Sequence, residues 1–245
     1  MSYNIAIDLG NSLTKVYLFE GNTLAGSFRY STLTAESLDE LFARYDICDA
    51  IIASVRSDDR HIAGYLQSRC RKVIVLDYTT PLPIKLHYDT PDTLGRDRIA
   101  AAVGAATEAP SVNLLVIDAG TAITLDVVDA QGNYLGGNIS PGMSIRFKAL
   151  NNYTQKLPVV EAEGEVPEIG HNTVTAIRAG VVRGVLMEIE GYISLISHKI
   201  GDLTVYITGG DAKYLAKQIK NRIFEDENLL AKGLNRILLY NNENI

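Results

Sequence analysis

An Asp-x-Gly turn that closes a short apolar run occurs twice in the chain, 110 residues apart, and no other feature narrows the fold as much. In the first copy Asn4-Ile5-Ala6-Ile7 runs into Asp8-Leu9-Gly10-Asn11-Ser12. The stretch Thr14-Lys15-Val16-Tyr17-Leu18-Phe19 follows, then a turn at Glu20-Gly21-Asn22 and a third apolar stretch over 24–30. In the second copy Leu114-Leu115-Val116-Ile117 meets Asp118-Ala119-Gly120-Thr121-Ala122. Thr124-Leu125-Asp126-Val127-Val128, a turn at Gln131-Gly132-Asn133 and Leu135 onward complete the parallel. Asp8 and Asp118, Gly10 and Gly120, and Thr14 and Thr124 all share the one offset. Short β-branched runs punctuated by Gly and Asn read as a hairpin with a third antiparallel strand.

Each triplet gives way to helices and strands in alternation. In the first half Thr34 is placed to cap a helix through residue 45, with Leu38, Leu41 and Phe42 as its stripe, before a strand over 50–55. A helix over 59–70 and a strand over 73–76 precede the breaker Pro81-Leu82-Pro83, and an Ala-rich helix runs over 98–108. In the second half helices are expected over 144–155 and 172–198. A strand over 203–208, a helix from Gly209-Gly210 to about 223 and a terminal segment around 234–240 follow. The 245 residues suffice for two domains. The pattern predicts an α/β protein of two ribonuclease-H-like domains, a duplicated mixed five-stranded sheet with helices, flanking a nucleotide cleft. The domains are expected at 1–110 and 111–245, with a hinge near Pro110.

An Asp ending a buried strand, followed by Gly and small polar residues, brings backbone N–H groups up to a phosphate while its carboxylate faces a metal ion. The same sequence also suits an Asp that bonds only to its own turn. In a duplicated fold the two turns face each other across the cleft, where a nucleotide is expected. Asp97 opens the Ala-rich helix, where a side chain can protrude into a cleft or merely cap the helix. Taken alone, Lys15 suits an exposed strand, Arg98 a salt bridge to Asp97 or Glu108, and Thr173 the cap of the long helix.

These residues carry a family resemblance. Asp8-Leu9-Gly10-Asn11-Ser12-Leu13-Thr14-Lys15 resembles the phosphate-1 motif of the acetate kinase, sugar kinase, Hsp70 and actin superfamily, with Ser12 where many members have Thr. Asp118-Ala119-Gly120-Thr121-Ala122 resembles its phosphate-2 motif, and Val205-Tyr206-Ile207-Thr208-Gly209-Gly210-Asp211-Ala212 its adenosine motif. Within the superfamily, Gly95-Arg96-Asp97-Arg98 after Tyr88 and Pro91, with Asn172-Thr173 and Lys232-Gly233-Leu234-Asn235, is similar to the type III pantothenate kinases. The resemblance implies transfer of phosphate from ATP to the primary hydroxyl of pantothenate, the first step of coenzyme A synthesis, with Asp97 as general base. It implies that Asp8 orients Mg2+ through its water shell, that Gly10, Asn11, Ser12, Lys15 and Thr121 serve ATP, and that Asp118 serves a monovalent cation, K+ or NH4+. It assigns Tyr88, Gly95, Arg96, Arg98 and Thr173 to the pantothenate side, and implies a homodimer with the substrate pocket close to the partner.

Composition excludes other classes. With 23 Lys and Arg against 29 Asp and Glu, a net charge of −6 and no run of like charges, nothing resembles a nucleic-acid footprint. Two cysteines without metal spacing point to a reducing cytosol; no leader and no apolar stretch of membrane length are expected, hence a cytoplasmic protein. GxxxxGK[ST], GxGxxG, GxSxG and HExxH are absent, and His61, His87, His171 and His198 are scattered. Two other readings compete with this one: a related kinase for a sugar or acid, and an actin-like assembly protein or regulator. A regulator has no need of Asp97 beside Arg98, and an assembly protein carries extra subdomains. Gly180, Gly184 and Gly191 in the long helix each cost about 1 kcal/mol relative to Ala, which implies close approach by another helix.

Overall fold

The computed structural model describes residues 1–10, 13–54 and 60–243, arranged as two compact units. Asn11, Ser12, the predicted strand end at 55 and the predicted helix start at 59 lie outside the described residues.

The first unit comprises Met1–Pro110, Gly132–Leu135 and Asn228–Ile245. It opens with β1 (Ser2–Leu9), β2 (Thr14–Glu20), β3 (Thr23–Tyr30), α1 (Ala35–Arg44), β4 (Asp46–Ser54), α2 (Arg60–Gln67) and β5 (Lys72–Val75). After β6 (Lys85–Leu86) and a 3-10 turn at Pro91–Thr93 comes α3 (Arg96–Glu108). The sheet order is β3-β2-β1-β4-β5; β2 runs antiparallel to its neighbours, while β1, β4 and β5 are parallel. Alternation along β1 sends Ile5, Ile7 and Leu9 into a core with Leu38, Leu41, Ile62 and Leu66 of α1 and α2. Thr34 caps α1 as expected, accepting from the Ser37 N–H.

The second unit comprises Ser111–Gln131 and Gly136–Glu227. Its elements are β7 (Asn113–Ala119), β8 (Ala122–Val128), β9 (Asn133–Pro141), α4 (Met143–Asn152), α5 (Thr173–Ile200), β10 (Leu203–Thr208), α6 (Ala212–Ala216) and β11 (Ile223–Glu225). The order β11-β10-β7-β8-β9 repeats that of the first sheet strand for strand. Both halves therefore have the ribonuclease-H-like topology the sequence predicts. The two-residue β6 pairs with Asn133 and Tyr134 at the start of β9, residues that belong to the first unit. Ile177, Val181, Val185 and Ile189 of α5 are buried against Leu115, Ile117, Val205 and Ile207 of the sheet.

The repeat is topological rather than metrical. Across the first turn Leu9 pairs with Thr14, and across the second Ala119 pairs with Ile123, so the second turn is one residue shorter. Asp8 consequently stands opposite Lys15, and Asp118 opposite Thr124. The expected helix toward 223 is only the short α6, and β11 occupies its end.

The terminal segment, which the sequence grouped with residues 111–227, is α7 (Leu229–Glu243) and packs inside the first unit. Leu229, Leu234, Ile237 and Leu238 lose all exposure there, each burial contributing about 1.5–3 kcal/mol. Helices α3 and α7 cross backbone to backbone: a Cβ on Gly233 would fall on the Ala100 carbonyl, and one on Gly104 on that of Leu229. Lys232 pairs with Glu108 at 3.1 Å, and buried Asn235 donates to the Gly21 carbonyl and accepts from Asn4. The Lys232-Gly233-Leu234-Asn235 motif thus serves as a clasp between elements of this unit.

Candidate active site

In the first unit, β1 delivers Asp8 at its carboxyl end, with Lys15 opposite on β2. Burial pushes the Asp8 carboxyl up from 3.8 to about 6; Lys15 opposes that shift and Asp97 adds to it. The three side chains therefore share one electrostatic environment. At Gly10 a Cβ would stand 3.0 Å from the Leu13 carbonyl oxygen, a close approach that leaves little room for a side chain.

Asp97 lies in the first turn of α3, where the exposed N–H groups suit a carboxylate. Its Oδ1 accepts the Arg98 N–H at 2.9 Å. The N-cap itself is Gly95, which supplies no side-chain cap, and a Cβ there would lie 2.5 Å from that same Oδ1. Gly95 is thus the space into which the Asp97 carboxylate folds. Arg96 donates to the carbonyls of Leu94 and Asp92 and ties the 3-10 turn to the helix. Arg98 is only 5% exposed, and its guanidinium lies 5.9 Å from the centroid of the Tyr88 ring. Glu108, one of its possible ion-pair partners, is held by Lys232.

In the second unit the carboxyl ends of the parallel strands β7 and β10 lie side by side, the usual place for a ligand in an α/β sheet. Gly209 takes φ +97°, and a Cβ there would overlap Asp118 Oδ1 and the Ala119 carbonyl. Only glycine combines that backbone with that approach. The Asp211 N–H donates to Ala119 at 2.9 Å, and the Gly142 N–H to the Thr121 carbonyl at 3.0 Å, binding the two motifs and the start of α4 together. A Cβ on Gly210 would meet nothing within 4 Å, so the backbone is open there.

Beside Asp211 is a cavity of about 410 Å³ whose lining includes Met143, Phe147, Lys148, Val160 and Glu163. Burial and the Glu163 carboxylate raise the Asp211 pKa. The irregular segment 153–172 forms one wall. Arg178 fixes it through the carbonyls of Glu161 and Glu165, and Arg183 through those of Pro167 and Val166. Thr173 is exposed beside a second, open concavity with Leu157, Gly170 and Asn172. It does not cap α5: Asn172 accepts the Thr175 N–H at 2.9 Å, and Thr175 reciprocates.

Among the described residues no cluster of three or more His, Cys, Asp or Glu side chains forms a ready-made metal cage. That fits a hard divalent ion, which keeps its waters and binds through one or two carboxylates and a phosphate. Asp8, half-buried, with its charged form disfavoured by desolvation and further by Asp97, is a carboxylate that such an ion would relieve. The Thr124 hydroxyl opposite Asp118 and the Thr14 hydroxyl at the start of β2 are both buried without a hydrogen-bond partner among the described residues. Among the described residues no helix is long and apolar enough to cross a membrane.

The structure thus brings together Asp8, Lys15, Gly95, Asp97, Arg98 and Tyr88 in the first unit, and Asp118, Thr121 and the Gly209 turn in the second. Sequence reasoning did not single out Arg178 and Arg183, which fix one wall of the cavity and carry no local signal.

A family model described as type III pantothenate kinase matches residues 4–195. A Phocaeicola vulgatus protein of that description is 47% identical over 240 residues, covering 98% of this chain and 99% of its own. One from Porphyromonas gingivalis, described alike, is 43% identical over 244 residues, covering 98% of this chain and all of its own. Among solved structures, a Campylobacter jejuni protein provisionally described as a Baf family transcriptional activator superposes with a TM-score of 0.66 at 22% identity, over 98% of this chain and 100% of its own. The polyphosphate/ATP-glucomannokinase of Arthrobacter sp. strain KM gives 0.53 at 15% identity over 100% of both chains. At these identities the two structures speak for the fold alone.

Proposed function

The chain belongs to the type III pantothenate kinase family, and from that premise we propose that it moves the γ-phosphoryl group of ATP to the primary hydroxyl of (R)-pantothenate, giving 4'-phosphopantothenate, with Asp97 as the base. The observation that carries the assignment of the base is the Asp97 carboxylate, fixed by the Arg98 N–H over the empty face of Gly95 and within the field of Asp8. Phosphoryl transfer through a loose transition state asks for position more than for basicity, and a carboxylate pinned at one oxygen supplies position. Asp97 accepts the hydroxyl proton as the new phosphorus–oxygen bond forms and the bond from the γ-phosphorus to the departing ADP breaks.

Asp8 would hold Mg2+ through its water shell; Gly10, Asn11, Ser12 and Lys15 of the first unit would serve the phosphates of ATP, and Thr121 of the second unit is a residue for ATP. When bound, Mg2+ neutralises charge developing on the β- and γ-oxygens. Asp118 would hold the monovalent cation, K+ or NH4+, which would supply positive charge beside the phosphates. The nucleoside end lies at Gly209, Gly210 and Asp211, and the adjoining cavity has room for a base. Tyr88, Gly95, Arg96, Arg98 and Thr173 define the pantothenate side; Arg98 offers its donors to the substrate's carboxylate or amides, and Arg96 and Gly95 shape the turn beneath it.

The active form we propose is a homodimer. On α5 a Cβ at Gly180, Gly184 or Gly191 would meet nothing within 4 Å, so the close approach these glycines imply is not made among the described residues. Met187 and Leu195, on the same face, are 68% and 62% exposed. That stripe suits a second copy of the helix. Both cysteines are free thiols, in keeping with the cytosol.

ATP consumption with and without pantothenate, in K+ and in Na+ buffer, tests the proposal. Wild-type turnover is expected to need both pantothenate and K+, and Asp97→Asn to lose about 10²–10⁴-fold in kcat. ATP binding without pantothenate-dependent turnover would sink the assignment.

A further inference from the structure

Tyr134 heads the fully buried side chains in volume, and it sits at the very start of β9. There β6 runs parallel to it, with Leu86 in register with Tyr134. The Lys85 N–H donates to the Gly132 carbonyl and the His87 N–H to the Tyr134 carbonyl, each at 2.9 Å, so the backbone entering Tyr88 is fixed on the Tyr134 strand. The rings of Tyr88 and Tyr134 meet edge to face, with centroids 6.1 Å apart and planes at 63°. The half-buried Tyr88 ring in turn lies by the guanidinium of the buried Arg98. Of the three side chains Tyr88 alone keeps appreciable exposure, and its orientation is set from behind by Tyr134.

We propose that Tyr134 is a positioning residue of the pantothenate pocket: it touches no substrate, but it fixes the Tyr88 ring and, through it, the Arg98 guanidinium, and so sets affinity for the acid and amide groups of the substrate without acting in phosphoryl transfer. The inference rests on the reading that Tyr88 and Arg98 receive pantothenate. A leucine at 134 fills part of the volume but offers no ring edge, which frees Tyr88 to turn away from Arg98.

Steady-state kinetics of Tyr134→Leu, Tyr134→Phe, Tyr88→Ala and the Tyr88→Ala/Tyr134→Leu double variant, with melting curves, test it. Tyr134→Leu is expected to raise the KM for pantothenate about 3- to 10-fold, the worth of one aromatic pair. Its kcat and its KM for ATP should stay within about twofold of wild type. Tyr134→Phe keeps the ring and should keep the KM. The double variant should have the KM of Tyr88→Ala, because one residue acts through the other. A purely structural role would lower the melting temperature and the active fraction of Tyr134→Leu while leaving its pantothenate KM intact; that result, or additivity in the double variant, overturns the inference. If Tyr134→Leu does not fold, Tyr134→Met takes its place under the same expectations. Tyr88→Ala with an unchanged KM overturns the pocket reading and this inference with it, whereas a raised KM in Tyr88→Ala beside an unchanged KM in both Tyr134→Leu and Tyr134→Met overturns the inference alone.

Discussion

Gly95→Ala isolates the role of Asp97 more cleanly than removing the carboxylate does. Gly95 has φ −55° and ψ 132°, a conformation open to any residue, so alanine brings no backbone strain. Its Cβ would stand at ordinary contact, 3.5 Å, from the Arg98 side chain but 2.5 Å from Asp97 Oδ1. Relief to an ordinary 3.4 Å contact moves the carboxylate by about 0.9 Å. A misplacement of about 1 Å in a reacting group costs about 10²-fold in rate. The fold should hardly register the change: alanine removes about 0.4–1 kcal/mol of unfolded-state freedom, and the loss of a good N-cap residue offsets it by a similar amount. The melting temperature should therefore stay within about 3 °C of wild type. Coupled measurement of ATP consumption at saturating pantothenate and ATP, beside a thermal melt, is the assay. The expected result is a kcat lower by about 10²-fold in a protein as stable as wild type. A kcat within twofold of wild type would refute the argument that this carboxylate must sit where the structure holds it.

Two further outcomes follow from the geometry. A folded-state pKa of about 6 against 3.8 means that the native state holds the Asp8 proton more tightly, so stability from this group falls as pH rises from about 4 to about 6, by about 3 kcal/mol in all. Asp8→Asn should therefore raise the melting temperature by several degrees near pH 7 but not near pH 4, while turnover falls at least about 10²-fold; equal shifts at both pH values would remove the charge argument. Gly184→Arg puts a long cation into the open space on α5 and should leave circular dichroism unchanged while reducing the mass by light scattering from a dimer to the 26.7 kDa chain. A wild-type protein that already scatters as a monomer would remove the proposed interface.

Much of the site was legible because it is local. Asp8-Leu9-Gly10 and Asp118-Ala119-Gly120 are strand ends followed by turns, and such signals depend on a few neighbouring residues. The caps of α1 and α5 obey the same logic, although Asn172 and not Thr173 takes the N-cap, because its side chain and that of Thr175 satisfy each other. Gly95 was readable as part of a motif but not as the space that receives Asp97, since that depends on a side-chain rotamer. Lys15 could not be told from an exposed strand residue until the longer first turn set it opposite Asp8.

From its sequence, then, the chain declared two mixed sheets with their helices, the two Asp-x-Gly turns and the Gly95-to-Arg98 segment, all of them written in periodicity and turn chemistry over short spans. Three matters waited on the tertiary structure: that α7 returns to the first unit and crosses α3 at Gly104 and Gly233, that β6 borrows the start of β9, and that Tyr134 thereby stands behind Tyr88 and Arg98. Apolar patterning states that a face will be buried but not against what; the partner is chosen by shape and by backbone hydrogen bonds between residues far apart in the chain, which no local window contains.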